Sequence, residues 1–475
     1  MVKNQSGAQP DEPAFNKAPL IAVLLSGAFV AILNQTLLAT ALPHIMADLQ
    51  LDANTAQWLQ SVFMLVNGIM IPITAFLIER FTTRALFLTA MTIFGLGTLM
   101  CAIAPVFSIL MAGRVLQAAG AGIIMPLMQT IMFMIFPIEK RGSAMGMFGL
   151  VIAFAPAIGP TLSGLIVDHF PWRSLFYIIL PIVILDIIFA YLLLKNVTNR
   201  TFPKLDILSI VLSTLGFGGL LYGFSTAGNS GWTSMQVVLS LLIGALALVW
   251  FIFRQLKLEQ PILEFRVFKY SVFTITTVLG MVLFIAMIGA AVILPLMMQN
   301  MLGFSALESG LALLPGALLM GIMSPITGRL FDKFGARWLS IIGVTILVIT
   351  TFMFAVFTEE TTFTYIAAVN AIRMFGISMV MMPVTTAGLN QLPTKLIPHG
   401  TAMNNTMRQV AGSVGTALLV TVMTSNSIPD QGVAGMLHGV NISFIVAAIF
   451  AVIALIMAFF IKNSRPENPD DIRPR

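Results

Sequence analysis

Apolar runs of about 20 residues, separated by short clusters of charged or turn-forming residues, recur along the whole chain. The hydrocarbon core of a bilayer takes about 20 apolar residues per helix, and a helix satisfies its own backbone hydrogen bonds there. The pattern predicts spans near 19–42, 56–78, 85–104, 108–132, 143–166, 174–194, 205–226, 236–254, 271–298, 306–327, 338–357, 362–385, 401–424 and 440–462. That is an all-α membrane protein with fourteen crossings.

The placement of positive charge tests this count, because basic residues gather in cytoplasmic loops. Alternate loops, counted from the N-terminus, carry Lys3 and Lys17, Arg80 and Arg84, Lys140 and Arg141, then Lys195, Arg200 and Lys204. The series continues with Arg254, Lys257, Arg266 and Lys269, then Arg329, Lys333 and Arg337, then Lys395, and ends with Lys462, Arg465, Arg473 and Arg475. Of the 25 basic residues, the opposite loops hold only Arg173, and Arg114, Arg373 and Arg408 lie inside spans. A missed or surplus helix would scramble the alternation downstream. The expectation is an even number of spans with both termini in the cytoplasm.

The polar first 16 residues, with Pro10, Asp11, Glu12 and Pro13, read as a disordered tail. The apolar run that follows is longer than the roughly 7–15 residues of a signal peptide core, so it counts as a span despite the Ala39-Thr40-Ala41 triplet.

Composition agrees with lipid as the main solvent. Hydrophobic residues make up 58% of the chain and charged residues 9%, against about 25% charged in soluble domains; the mean hydropathy is +0.96. The formal charge of +6 is spread singly between apolar runs rather than clustered as on a nucleic-acid-binding face. The single cysteine, Cys101, excludes a disulfide framework and a cysteine-based metal site, and its apolar surroundings make it a packing residue. The chain contains no H-E-x-x-H, G-x-S-x-G or P-loop pattern, which argues against an intramembrane enzyme and against direct use of ATP.

One internal repeat is visible. Gly328-Arg329-Leu330-Phe331-Asp332-Lys333-Phe334-Gly335-Ala336-Arg337 and Ala75-Phe76-Leu77-Ile78-Glu79-Arg80-Phe81-Thr82-Thr83-Arg84 place an acid, a base, an aromatic and a final arginine at one spacing. Both fall in short loops on the cytoplasmic side of the predicted topology. Two repeated halves are the usual construction of secondary transporters, and paired gating loops suit alternating access better than a continuous channel.

The second copy matches the loop motif G-x-L-x-D-R-x-G-R-R/K of the major facilitator superfamily, and the first is a degraded version. Span 1 carries Leu33-Asn34-Gln35-Thr36 followed by Ala41-Leu42-Pro43; span 4 carries Arg114-Val115-Leu116-Gln117 with Gly120 and Gly122. Span 5 carries Gly159-Pro160-Thr161-Leu162-Ser163-Gly164, then Trp172-Arg173, and span 13 carries Arg408-Gln409-Val410-Ala411-Gly412. In this order across nearly the whole chain, the motifs resemble the fourteen-span drug:proton antiporter branch of that superfamily. The resemblance implies two six-helix bundles, 19–198 and 269–462, around a cavity lined mainly by spans 1, 4, 9 and 12. An inserted helix pair with its linkers, 199–268, would separate the bundles, with tails at 1–18 and 463–475. It further implies a monomer in the plasma membrane that exports lipophilic drugs or related amphiphiles in exchange for protons, with the proton gradient in place of any cofactor. A lipid or lipid-linked envelope precursor is an alternative cargo that an apolar, acid-poor cavity would also suit.

Several residues carry candidate chemistry. A charge deep in a span costs at least about 2.5–3.5 kcal/mol on insertion scales, so Arg114 needs a partner or water, and Gln117 lies on the same helix face. The resemblance gives Arg114 and Arg408 a coupling or gating role; a structural hydrogen-bond hub is the plainer reading of Arg114. Asn34 stands where the branch usually has an acid. An amide cannot carry a proton, which leaves Asn34 and Gln35 as hydrogen-bond partners of Arg114, of a ligand, or of neighbouring helices.

Asp186 is the only carboxylate well inside a predicted span and is the candidate replacement, although span 6 is usually peripheral in this fold. Glu308, near the outer end of span 10, is a candidate proton-entry group or simply a solvated acid. Arg373, one turn after Asn370, would make the cavity electropositive if it faced inward with Arg114. Met125, Met128, Phe133, Met297, Met298, Met381 and Met382 are either soft cavity lining or lipid-facing filler. The resemblance makes Glu79, Arg80, Arg84, Asp332, Lys333 and Arg337 a charge latch between bundles, against the alternative of solvated turns. Pro156, Gly159, Pro160 and Gly164 would let span 5 pack tightly and still bend.

Overall fold

The computed structural model describes residues 17–198 and 200–461; the polar N-terminal tail and the C-terminal tail, with Lys3, Lys462, Arg465, Arg473 and Arg475, lie outside the described residues. Among the described residues, fourteen long helices follow one another. The first six are α1 (Lys17–Leu49), α2 (Ala53–Arg80), α3 (Thr83–Ala102), α4 (Phe107–Ile135), α5 (Arg141–His169) and α6 (Ser174–Leu193). The inserted pair is α7 (Ile207–Ser230) and α8 (Met235–Lys257). The last six are α9 (Ser271–Asn300), α10 (Ala306–Phe334), α11 (Ala336–Met353), α12 (Phe363–Leu389), α13 (Ile397–Ser425) and α14 (Gly432–Phe459). With an even number of antiparallel crossings, α1 begins and α14 ends on one side, here called the terminal side; the other is the far side.

Thirteen of these helices are long and apolar enough to cross a membrane on composition alone. The exception is α13, which buries His399, Thr401, Asn404, Asn405, Thr406 and Arg408. It can stand in a bilayer because α2, α4, α7, α9 and α14 pack around it, so that its polar groups meet protein rather than lipid.

Polar side chains set several helix starts by accepting an orphan backbone N–H. Asp52 caps α2 through Thr55 N at 3.0 Å, and Thr82 caps α3 through Ala85 N at 3.3 Å. Ser305 caps α10 in a reciprocal box with Glu308.

The two halves pack alike. In the first, α4 lies on α2 and α3, α1 on α5 and α6, and α3 on α6; in the second, α12 lies on α10 and α11, α9 on α13 and α14, and α11 on α14. The halves meet along two seams, α5 against α10 and α2 against α13, which the same repeat relates. The inserted helix α7 covers the α2–α13 seam.

The repeated motif is not a loop. Glu79 and Arg80 end α2, Arg84 is in the first turn of α3, and Gly328–Phe334 forms the last two turns of α10. Between α10 and α11 only Gly335 leaves the helical path, at φ 79°, a left-handed conformation that glycine adopts without cost. Hydropathy ends where charge begins, but backbone hydrogen bonds run on for another two turns, and this moved the predicted boundary.

At the terminal side α7 and α8 are tied by Asp206, which accepts from Arg254 Nε at 2.7 Å and Nη2 at 3.1 Å. Arg254 holds the Asp206 carboxyl below the usual carboxylate range. A carboxyl pKa lowered by folding stabilises the hairpin above the ordinary value of about 4, and that contribution is lost as pH falls through the lowered value. Amide exchange at the α7 and α8 ends is therefore expected to accelerate below about pH 4, and the acceleration to be absent in Asp206→Asn, which starts in the loosened state. Equal acid sensitivity in both proteins would refute the assignment.

Candidate functional site

A cavity of about 430 Å³ lies between the halves, in the far-side half of the molecule. Its walls include Gln35 on α1, Gln60 and Met64 on α2, Arg114 on α4, Pro156 and Pro160 on α5, Leu313 on α10, and Asn370 on α12. Among these described wall residues no acid appears, and Arg114 is the one charged group. The size falls in the roughly 300–1,000 Å³ range of small-molecule pockets. The expected lining by spans 1, 4, 9 and 12 needs correction. Helices α5 and α10 give a large share and α9 gives only Ala291, because the halves part on the far side along the α5–α10 seam and leave those faces bare.

Arg114 is completely buried and anchors the cavity's inner wall. Its Nη1 donates to Asn34 Oδ1 at 2.7 Å and to Gln117 Oε1 at 2.9 Å, and its Nε donates to Leu59 O at 3.1 Å. Phe63 places its ring 4.4 Å from the guanidinium carbon, in cation–π range. Gln117 passes the network on, donating to Thr98 Oγ1 at 2.9 Å. Arg114 Nη2 and Asn34 Nδ2 have no hydrogen-bond partner among the described residues. Asn34 thus occupies the position beside the arginine where the branch usually has an acid. Cys101 packs on the same helix pair, its Sγ 3.6 Å from Leu110 O.

The other arginines predicted within spans sit elsewhere. Arg373 is fully buried, donates to Ala286 O and faces the Phe354 ring at 5.9 Å; it does not reach the cavity wall, where Asn370 and Met374 stand instead. The electropositive cavity expected from two inward arginines therefore reduces to Arg114 alone. Arg408 donates to Thr385 Oγ1, inside the second half. None of Arg114, Arg373 and Arg408 forms an ion pair among the described residues.

Met298 is buried with Met297 in the far-side core of the second half, and Met125 is half-buried against the main core; neither lines the cavity. Gly159 brings α5 against α1, where an added Cβ would lie 2.2 Å from Thr36 Oγ1, whereas Gly164 has open space around it. Pro160 faces the cavity. Glu308 is spent on its own helix start, accepting from Ser305 N at 2.7 Å and Ser305 Oγ at 2.8 Å. Asp186 is buried on α6 away from the cavity, packed against α1 at Gly27, and its Oδ2 has no partner among the described residues.

The terminal side is sealed by polar pairs that cross between halves. Asp332 at the end of α10 accepts from Gly142 N at 2.7 Å, Ser143 N at 2.8 Å and Ser143 Oγ at 2.5 Å. Those donors open α5, so the carboxylate also sits at a helix N-terminus, where the dipole favours it. One turn earlier Gly328 allows the crossing: a Cβ there would be 2.3 Å from Gly142 O. On the other seam Glu79 meets His399 Nε2 at 3.0 Å.

Between the seams, Arg141 donates to Asn390 Oδ1 at 3.0 Å, Asn405 Nδ2 to Gln129 Oε1 at 2.7 Å, and the Thr130 and Thr401 hydroxyls pair at 2.7 Å. Of the six latch candidates, Glu79 and Asp332 make the bridges between halves described above. Arg80 donates to Pro203 O in the linker before α7, Arg84 lies over the Tyr191 ring, and Lys333 lies over Phe334. Arg337 is exposed at the start of α11. Sequence reading missed His399, Thr401 and Asn405, although with Asn404, Thr406 and Arg408 they crowd polar side chains into the first half of α13.

Two halves related by a repeat, a cavity between them closed on one side, and a buried polar hub on its wall define a multi-pass membrane transporter. A family model for the Major Facilitator Superfamily matches residues 24–416, and the chain belongs to that superfamily. It is 57% identical to the MFS-type transporter YcnB of Bacillus subtilis (strain 168), covering 98% of each chain. It is 43% identical to the lincomycin resistance protein LmrB of Listeria monocytogenes serovar 1/2a, over 98% of this chain and 100% of that one. The crystal structure of the human organic anion transporter TETRAN shares the fold, with a TM-score of 0.68 at 13% identity over 94% of this chain and 100% of that one.

Proposed function

We propose that this transporter exports small lipophilic compounds, drug-like amphiphiles among them, from the cytoplasm by alternating access in exchange for protons. The observation that carries the reading is the cavity itself, largely apolar and present only in the far-side half, while paired polar groups close the terminal side. This is the geometry of an outward-facing state. The basic residues along the terminal side, Arg80, Arg141, Lys204, Lys257, Arg329 and Lys395 among them, support a cytoplasmic location for it. The name of the Listeria relative supports an antibiotic-like cargo. A monomer holds the complete cavity.

Proton exchange needs a group that changes protonation, which Asn34 cannot supply. Asp186 is the candidate, a buried carboxylate with one unpartnered oxygen against α1, the helix that also carries Asn34 and Gln35. The test uses purified protein in liposomes under an imposed pH gradient. Lincomycin and a panel of neutral, cationic and anionic lipophilic compounds are added one at a time. Compound-triggered proton release is expected, and Asp186→Asn is expected to abolish it while compound binding remains. Transport insensitive to an uncoupler would refute proton exchange, and unchanged coupling in Asp186→Asn would remove that residue from the account.

A further inference from the structure

A second cavity, of about 270 Å³, opens beside the first on the far side, at the seam that α7 covers. It is walled by α2, α7, α8 and α13, so it draws on both halves and on the inserted pair. Met64 lines both cavities and stands between them.

The lining has a distinct chemistry. Gln57, Ser61, Ser225, Thr226, Gln236 and Ser413 present amides and hydroxyls, able to donate and accept, and no lining residue is charged. Trp58 of α2 and Tyr222 of α7 stack at 5.5 Å between centroids with their planes 25° apart, which gives the pocket a rigid aromatic wall. Gln236 donates to the Tyr222 hydroxyl, fixing that ring from α8. Trp232 Nε1 donates to Thr421 Oγ1 at 2.7 Å and holds the outer end of the inserted pair on α13. The pocket is open on the far side, where Gln57, Ser225 and Gln236 are exposed, so a ligand can reach its polar groups directly. The volume lies just under the usual drug-pocket range, which leaves room for one ring-sized group.

We propose that this lateral pocket is a second ligand site, for an uncharged ring that carries several hydroxyl or amide groups and stacks one face on the Trp58–Tyr222 pair. The pocket's geometry supports this site whether or not the protein exports drugs. A cation would find no counter-charge there, and a plain hydrocarbon would make no hydrogen bond to Ser61, Ser225, Thr226 or Ser413.

The experiment is equilibrium dialysis of phenyl β-D-glucoside against the full chain in nanodiscs, with phenol and tetraphenylphosphonium as comparison probes. Saturable binding of the glucoside is expected, with phenol at least about tenfold weaker and no competition from tetraphenylphosphonium. Loss of the stacking face in Trp58→Ala is expected to weaken binding by about tenfold, and Trp58→Phe by less. Ser225→Leu, which fills the pocket and removes no aromatic contact, is expected to abolish binding in protein that keeps its normal elution profile and thermal transition. Absence of saturable binding, phenol binding as tightly as the glucoside, or binding unaltered in both Trp58→Ala and Ser225→Leu would overturn the proposal.

Discussion

Transport by an Arg114→Ala variant is expected to fall at least ~100-fold while the protein still inserts and folds. The guanidinium is the shared donor for Asn34, Gln117 and the Leu59 carbonyl. Its removal leaves three buried acceptors without that partner, at about 1–3 kcal/mol each, and 1.4 kcal/mol is a factor of ten. Two of those acceptors belong to α1 and α2, so the loss falls on the way the cavity-lining helices are held against α4. Arg114→Lys keeps the charge but cannot reproduce the fork of donors, and an intermediate rate is expected.

Asn34→Asp is the complementary change. It would place a carboxylate 2.7 Å from Arg114 Nη1, the pairing that the branch usually has, and should strengthen the dependence of transport on the pH gradient. Initial rates in liposomes, normalised to folded protein, decide the matter. An Arg114→Ala protein that transports at the parental rate would remove the hub from the mechanism.

The second large effect is conformational. Asp332→Ala is expected to shift the equilibrium toward the state open at the terminal side by about 10–100-fold. The carboxylate accepts three hydrogen bonds from the start of α5, and bonds to a charged group contribute about 1.5–3 kcal/mol net. Several such bonds do not add fully, because water reaches the membrane edge and replaces part of what is lost; about 1.5–3 kcal/mol in total is therefore the working range.

The remaining cross-links, Arg141–Asn390, Gln129–Asn405, Thr130–Thr401 and Glu79–His399, still favour closure. For this reason a shift is expected rather than a protein wholly open at the terminal side. Spin-label distances across the terminal-side ends of α5 and α10 report the two populations. A distribution unchanged in Asp332→Ala would show that the closed state does not depend on this contact. Arg84→Ala serves as the comparison, since the Arg84 side chain lies over Tyr191 in its own half, its backbone N–H alone donates to Asn196, and the change should leave the populations in place.

The sequence by itself determined the number of helices, their alternating direction and the repeat. These follow from local properties: apolar length, the cost of unsatisfied backbone in lipid, and the placement of basic residues. Arg114 was legible for the same reason, since a charge inside an apolar run must find partners wherever it lies. Even α13, the most polar helix, could be placed, because the loops on either side of it kept the alternation.

Which residues meet across the molecule was decided only by the tertiary structure. Nothing local to Asp332 names the Ser143 amide as its partner, and nothing in the Arg373 segment shows that it turns toward Ala286 while Asn370 takes the cavity wall. Met298 is a core residue and Met125 a half-buried one, yet both have the composition of cavity residues, because most helices in lipid are apolar on all sides and hydropathy no longer separates inside from outside. The cross-seam layer of Gln129, Thr130, Thr401 and Asn405 and the lateral pocket under α7 arise from contacts more than a hundred residues apart in sequence. Their existence depends on how two bundles tilt against each other, a property of the packed assembly and of no single span.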